Sequence, residues 1–312
     1  MSSFTSGQLA RARVAAAQQR RIRRTKALTI LAFLLPGFIL LAVFMLYPVG
    51  ASAYYSLFKW NGLGPRETFV GLENYGRVLS HKIFLDALKH SLLLVALSLL
   101  IQLPLALGLA LLLVRSRIRG KRFLRAIFFI PYVFSEVITA ILWLYVYHPN
   151  NGLANVALGG LGIDGMAWLS NRATVLPAIF IVLTWKFFGF HMLLYMAAIQ
   201  NVPRDLEDAA RVNGAGEFDV LRYVTLPMMG GTIRLSVFLS ILGSMQQFII
   251  VWLLTEGGPV SASELVVTYL MKFGITRMAL GYGSAVAVVM FGLTLAFSIG
   301  YQRTVMRQDY LD

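Results

Sequence analysis

The sequence predicts an all-α, polytopic membrane protein with six transmembrane helices, and three observations predict it. Of its 312 residues, 58% are hydrophobic and 13% charged, whereas a soluble domain carries about 25% charged residues. Six apolar runs each approach the roughly 20 residues that a helix needs to cross about 30 Å of hydrocarbon. Lys and Arg alternate between successive connections, nineteen on one side and eight on the other, with Lys186 inside the fourth run. The positive-inside rule then places both termini and the second and fourth connections in the cytoplasm.

The first run, 28–46, follows a basic arm, 1–27, that carries Arg11, Arg13, Arg20, Arg21, Arg23, Arg24 and Lys26. No small-residue cleavage site follows it, and the run is long enough to span, so it reads as an uncleaved first helix. The arm reads as a solvated segment or one that binds lipid headgroups. The remaining runs are 91–114, 123–147, 175–198, 235–254 and 282–301, and a short tail, 304–312, closes the chain. Trp60-Asn61-Gly62 and Pro149-Asn150-Asn151-Gly152 are turn formers in the outer connections. Tyr54, Tyr55, Trp60, Trp143, Tyr145, Tyr147 and Trp168 cluster near outer helix ends, where an aromatic belt is expected.

The fourth connection, about 201–230, differs from the rest of this acid-poor chain. It combines Asp205, Glu207, Asp208, Glu217 and Asp219 with Arg204, Arg211, Arg222 and Arg234. Pro203 and the acids after it open a helix over 204–212, in agreement with the helix dipole. Asn213-Gly214 end that helix. A second amphipathic segment follows from Glu217 and is halted at Leu226-Pro227.

Several function classes are excluded by what the chain lacks. There is no cysteine, and His81, His90, His148 and His191 have no metal-ligand spacing. A net charge of +14 would suggest nucleic acid in a soluble protein, but here the cations are scattered between apolar runs as topology signals. No phosphate-cradling Gly-rich loop with its Lys is present, so no ATP site of that kind is expected in this chain. No acid, base and nucleophile converge, so an enzyme is disfavoured.

Glu207-Asp208-Ala209-Ala210-Arg211-Val212-Asn213-Gly214-Ala215, with Phe218 and Leu226-Pro227, resembles the Glu-Ala-Ala loop of binding-protein-dependent ABC importer permeases. Asp208 stands where an alanine is usual in that loop, and Asn213 where an acid is common. Tyr47-Pro48, Phe69 to Tyr75, Phe128 to Pro131 and Thr255-Glu256-Gly257-Gly258-Pro259 resemble the maltose and multiple-sugar type, specifically the first of two paired permeases. The resemblance implies a multi-pass subunit, 28–303, of a bacterial-type inner membrane that passes a sugar or oligosaccharide. Implied partners are a second homologous permease, an ABC ATPase dimer that binds ATP and Mg, and an extracytoplasmic solute-binding protein. It further implies that 204–212 is the coupling helix, that Glu207 pairs with a basic group on the ATPase and that Gly214 is the hinge. Glycerol phosphate or another small polar solute is the alternative cargo. A stand-alone secondary carrier would explain the spans but not the charged loop.

Polar side chains in a bilayer are costly and face cavities or partner helices. Gln246 and Gln247 are the leading candidates for the solute path, with Phe248, Trp185, Glu136 and Lys186 beside them, since amides, charges and aromatic faces suit sugars. A glutamine that only bonds to a neighbouring helix is the alternative. Glu136 and Lys186 could form a buried ion pair or lie near opposite interfaces. Gly189, Gly243, Gly281 and Gly283 are expected to let helices approach closely.

Overall fold

The computed structural model describes residues 18, 19, 23, 25, 26, 28–65, 68–115 and 119–306. Most of the expected basic arm and the end of the tail lie outside the described residues, as do Arg66 and Arg117. The chain divides into two units, 1–55 and 56–312. The first holds α1, Leu28–Tyr55, an apolar helix of 28 residues with a π turn at Ala42–Leu46.

The second unit opens with a small antiparallel hairpin, β1 (Phe58–Lys59) and β2 (Thr68–Phe69), followed by α2 (Glu73–Ser80). Asn74 fastens α2 to the hairpin, its amide donating to the carbonyls of Ser56 and Phe58. Helix α3, Lys82–Arg115, runs for 34 residues with a π turn at Ser98–Gln102.

The third predicted span is not one continuous helix. It is the pair α4 (Lys121–Val133) and α5 (Glu136–Val146), bent by 102° at Phe134-Ser135. Pro131 removes a backbone donor just before the bend. Ser135 restarts the helix, its hydroxyl accepting from the Ile138 amide at 3.2 Å. The last carbonyls of α4 are taken by Lys186 of α7, whose Nζ donates to Pro131 O at 3.1 Å, to Tyr132 O at 3.0 Å and to Phe134 O. Irregular backbone at membrane depth persists only where other groups satisfy it in this way.

A short helix α6 (Leu153–Gly160) precedes α7, Val175–Gln200. Helix α7 is apolar around its circumference and is therefore the central one. It buries Val175, Ile179 and Val182 in a cluster with Ile250 and Leu254, and Met192 and Tyr195 in a second with Ala106 and Leu113. Tyr147, expected in an aromatic belt, is instead buried in the first cluster, donating to Ala178 O at 3.0 Å.

The fourth connection forms α8 (Arg204–Val212) and α9 (Glu217–Val220), the latter continuing through a π turn at Leu221–Thr225 into Leu226–Met228. Pro227 thus does not halt the segment as expected. The widened turn closes an amide-to-carbonyl bond five residues back, from Leu226 to Leu221, and the proline falls where a new turn begins and needs no donor.

The fifth span is also interrupted, between α10 (Gly230–Met245) and α11 (Ile249–Thr255), at Gln246, Gln247 and Phe248. Helix α12, Val266–Thr276, leads to α13, Leu280–Thr304. Among the described residues, five helices are long and apolar enough to cross a membrane, and the bent pair makes a sixth.

Three of the four singled-out glycines sit at close contacts. A Cβ on Gly189 would lie 2.0 Å from Phe128 O, one on Gly281 2.0 Å from Phe58 O, and one on Gly283 2.8 Å from the Gly274 Cα. Gly243 has nothing within 4 Å. Gly189→Ala should therefore push α4 off α7 and cost about 1–3 kcal/mol, while Gly243→Ala leaves stability unchanged. Thermal unfolding of the two variants in detergent checks this, and equal midpoints would contradict the close-contact role.

Candidate functional site

Helices α3, α7 and α10 and the end of α4 enclose a cavity of about 270 Å³. One wall is aromatic, with Tyr132, Phe187 and Phe190; Tyr132 and Phe190 stack at 5.0 Å and 17°. The lining from α3 and α10 includes polar groups. Ser98 donates to Gln102 Oε1 at 2.9 Å, both on the π turn of α3, and its oxygen lies 2.7 Å from Ser240 Oγ on α10. Gln247 joins these polar groups at the α10–α11 break. It is 6% exposed, and its amide nitrogen has no hydrogen-bond partner. A buried unpaired donor carries a desolvation penalty of about 1–3 kcal/mol, which a ligand oxygen would relieve. His191 also lines the cavity, with Nδ1 2.7 Å from Ser236 Oγ.

The other residues proposed for a solute path lie elsewhere. Gln246 is exposed, one residue from the lining. Phe248 packs its ring 5.7 Å from that of Trp252. Trp185 stacks on Phe134 at 6.3 Å and meets Trp143 edge-on at 5.6 Å, so it packs against the bend and α5. Lys186 is 3% exposed and fully engaged by the three carbonyls of α4. Its charge serves as a helix C-cap, which the dipole favours. Glu136 begins α5 at the same bend, near enough to Lys186 for an electrostatic interaction though no ion pair within 4.0 Å joins them, so the two sit together at the bend and not near opposite interfaces.

The loop built by α8 and α9 is a second ordered site. Gly214, at φ +88°, closes α8, with the Gly214 and Ala215 amides donating to Arg211 O and Ala210 O, both at 3.0 Å. The carboxylate of Glu207 faces inward. Arg115, the last residue of α3, donates to Glu207 Oε1 at 2.6 Å and also to the hydroxyl of buried Thr225, which itself donates to Glu207 Oε1 at 2.7 Å. Arg211 reaches Asp208 at 2.7 Å and Glu217 at 2.8 Å and lies 3.7 Å from Glu207. Within its own chain Glu207 thus meets Arg115, Thr225 and Arg211, because Arg115 ends beside α8. The groups turned to solvent include Asp208, Ala209, Val212 at 88% exposure and Phe218 at 68%. The Arg211 hydrogen bonds hold the Glu217 carboxyl below the usual carboxylate range. That contribution is in place above the ordinary carboxylate pKa and disappears as pH falls through the lowered one.

Sequence reasoning missed Arg115, Thr225, Ser98 and Gln102 as working parts. Ser98 and Gln102, four apart in an apolar run, were the available signal, since residues at that spacing share a helix face. Among the described residues, no three His, Asp or Glu side chains are placed to hold a metal.

Residues 102–308 match the family model described as binding-protein-dependent transport system inner membrane component. The chain is 34% identical over 270 residues to the probable ABC transporter permease protein YurN of Bacillus subtilis, covering 86% of this chain and 92% of the relative. It is 33% identical over 294 residues to the diacetylchitobiose uptake system permease protein NgcF of Streptomyces coelicolor, covering 90% and 83%. Among solved structures, a chain of a bacterial alginate ABC transporter in complex with alginate pentasaccharide-bound periplasmic protein superposes with a TM-score of 0.78 at 25% identity. That match covers 92% of this chain and 96% of the other.

Removing either charge of the Arg115–Glu207 pair takes away a charge-assisted hydrogen bond of 2.6 Å between two partly buried side chains, a loss of about 1–3 kcal/mol. Hydrogen exchange over 204–228 should therefore speed up in Glu207→Arg and in Arg115→Glu, and recover in the double swap. Exchange that stays at the wild-type rate in both single variants would contradict the pairing.

Proposed function

The chain belongs to the binding-protein-dependent transport system inner membrane components, and on that premise we propose that it forms half of a sugar-conducting path. It is a multi-pass membrane protein and the permease component of an ABC importer. In the proposed assembly a second homologous permease completes the bundle and an ABC ATPase dimer docks on the α8–α9 loop. A binding protein delivers the solute at the opposite face. The orientation with both termini in the cytoplasm rests on the nineteen-to-eight distribution of cations. ATP and Mg belong to the partner ATPase in this reading, and the present chain contributes no ATPase site.

The observation that carries the solute assignment is the central cavity, whose lining combines aromatic rings with a serine–glutamine row. Sugars present apolar ring faces and edges rich in hydroxyls, and these two kinds of lining group answer both. The diacetylchitobiose uptake system and the alginate transporter handle saccharides by their names, which supports the same class here. Gln247 is the residue whose free amide nitrogen would meet a solute hydroxyl.

Helix α3 supplies the mechanical link. Ser98 is 17 residues from Arg115, or about 25 Å along a helix, so one rod carries both the cavity wall and the anchor of the loop. When closing ATPases press on the outward Val212 and Phe218 surface, the Arg115–Glu207–Thr225 contact passes the displacement to α3. The Ser98–Ser240 contact between α3 and α10 then gives way and the cavity changes the side to which it opens.

Gln247→Leu should raise the sugar concentration needed for half-maximal uptake by roughly 10- to 100-fold with insertion unchanged, as measured in vesicles holding the assembled importer. Uptake with unaltered concentration dependence would refute the role given to Gln247.

A further inference from the structure

A second cavity, of about 340 Å³, lies among the hairpin, α2, α12 and the start of α13. It sits beyond the Lys82 end of α3, whereas the α8–α9 loop is fastened to the Arg115 end about 50 Å away. Lys59, Arg77 and Arg277 line it together with His81, and no carboxylate does. Among the described residues, none of these three cations forms an ion pair, although Glu73 stands one turn before Arg77 on α2.

The two guanidinium groups are held by rings. Arg77 lies 5.2 Å from the Tyr282 ring centroid, and Arg277 lies 4.1 Å from that of Phe273. Those rings are themselves fixed. Tyr282 and Tyr269 share a hydroxyl hydrogen bond of 2.6 Å, Tyr269 meets His81 Nδ1 at 2.8 Å, and Phe273 stacks on Tyr269 at 4.4 Å. Cation–π contact orients an Arg without neutralising it, so its guanidinium donors stay available for a planar oxyanion. Gathering three like charges around one concave space opposes folding by Coulomb repulsion. A bound negative group would reverse the sign of that term.

We propose that this cavity is an oxyanion site, taking the carboxylate, sulfate or phosphate group of one small molecule. The volume admits a single ring or a headgroup. Two sources carry this chemistry, an anionic solute arriving from the medium and an anionic phospholipid. The site is separate from the central cavity and does not depend on the solute assigned there.

The test uses the full chain with its partner subunits in nanodiscs of neutral phosphatidylcholine. Sodium sulfate is titrated calorimetrically against sodium chloride at matched ionic strength. Saturable sulfate binding is expected, weakened roughly tenfold or more in Arg77→Gln/Arg277→Gln, as loss of charge-assisted bonds requires. Lys59→Gln, which disturbs no ring contact, should weaken it as well. Discs containing phosphatidylglycerol separate the sources. If sulfate binding disappears there, and the wild type retains more phosphatidylglycerol through delipidation than the double variant, the oxyanion is a headgroup. If sulfate binding persists there, it is a soluble anion. Sulfate binding equal in wild type and variants overturns the proposal, as does its absence from both kinds of disc with equal lipid retention.

Discussion

A backbone that leaves helical geometry inside a bilayer must find partners for the carbonyls and amides it frees, and this constraint shapes the chain at the α4–α5 bend. Pro131 lies in the last turn of α4, and the Lys186 ammonium caps the carbonyls of Pro131, Tyr132 and Phe134 there. An apolar residue at 186 would leave those carbonyls bare, at a cost of several kcal/mol each in hydrocarbon. The bend in turn sets Tyr132 against Phe190, which is the aromatic wall of the central cavity. The second interruption, at Gln246 to Phe248, brings Gln247 to the lining of the same space. Both breaks therefore contribute a side chain to the lining of one cavity.

Helix α3 joins that cavity to the loop at the far end of the bundle. Its π turn puts Ser98 and Gln102 on the lining, and its last residue grips Glu207 and Thr225. The remaining charges of the loop, on Arg211, Asp208 and Glu217, hold α8 to the start of α9 across Gly214. Little in this arrangement yields locally, so in the proposed cycle pressure on the apolar outer surface of the loop moves α3 as a body. The small contact between Ser98 and Ser240 is the point at which α3 can part from α10.

The spans and the loop were largely legible in the sequence because they rest on local rules. Length and hydropathy locate α1, α3, α7 and α13, and Asn213-Gly214 foretells the end of α8. The interruptions were not legible, since apolar character continues unbroken through Phe134 and the fifth run reads as helix on either side of Gln246. Whether a break occurs depends on a partner such as Lys186, which lies more than 50 residues from the carbonyls it caps. Glu207 illustrates the same limit. Its inward partner Arg115 is 92 residues distant, and no spacing rule connects them. Gly243 and Gly189 look alike in sequence, yet only Gly189 meets another backbone.

The absence of cysteine from the chain allows a direct test of force transmission along α3. Ser98→Cys and Ser240→Cys, introduced together, place two thiols where the native hydroxyl oxygens are 2.7 Å apart, within reach of a disulfide. Cross-linking is followed in the reconstituted importer at rest, and again with ATP trapped on the ATPase and solute-loaded binding protein present. If α3 parts from α10 during switching, the disulfide forms readily at rest, is suppressed in the trapped state and, once formed, blocks solute-stimulated ATP hydrolysis until reduced. Equal cross-linking in both states, with hydrolysis unaffected by the bridge, would contradict the account.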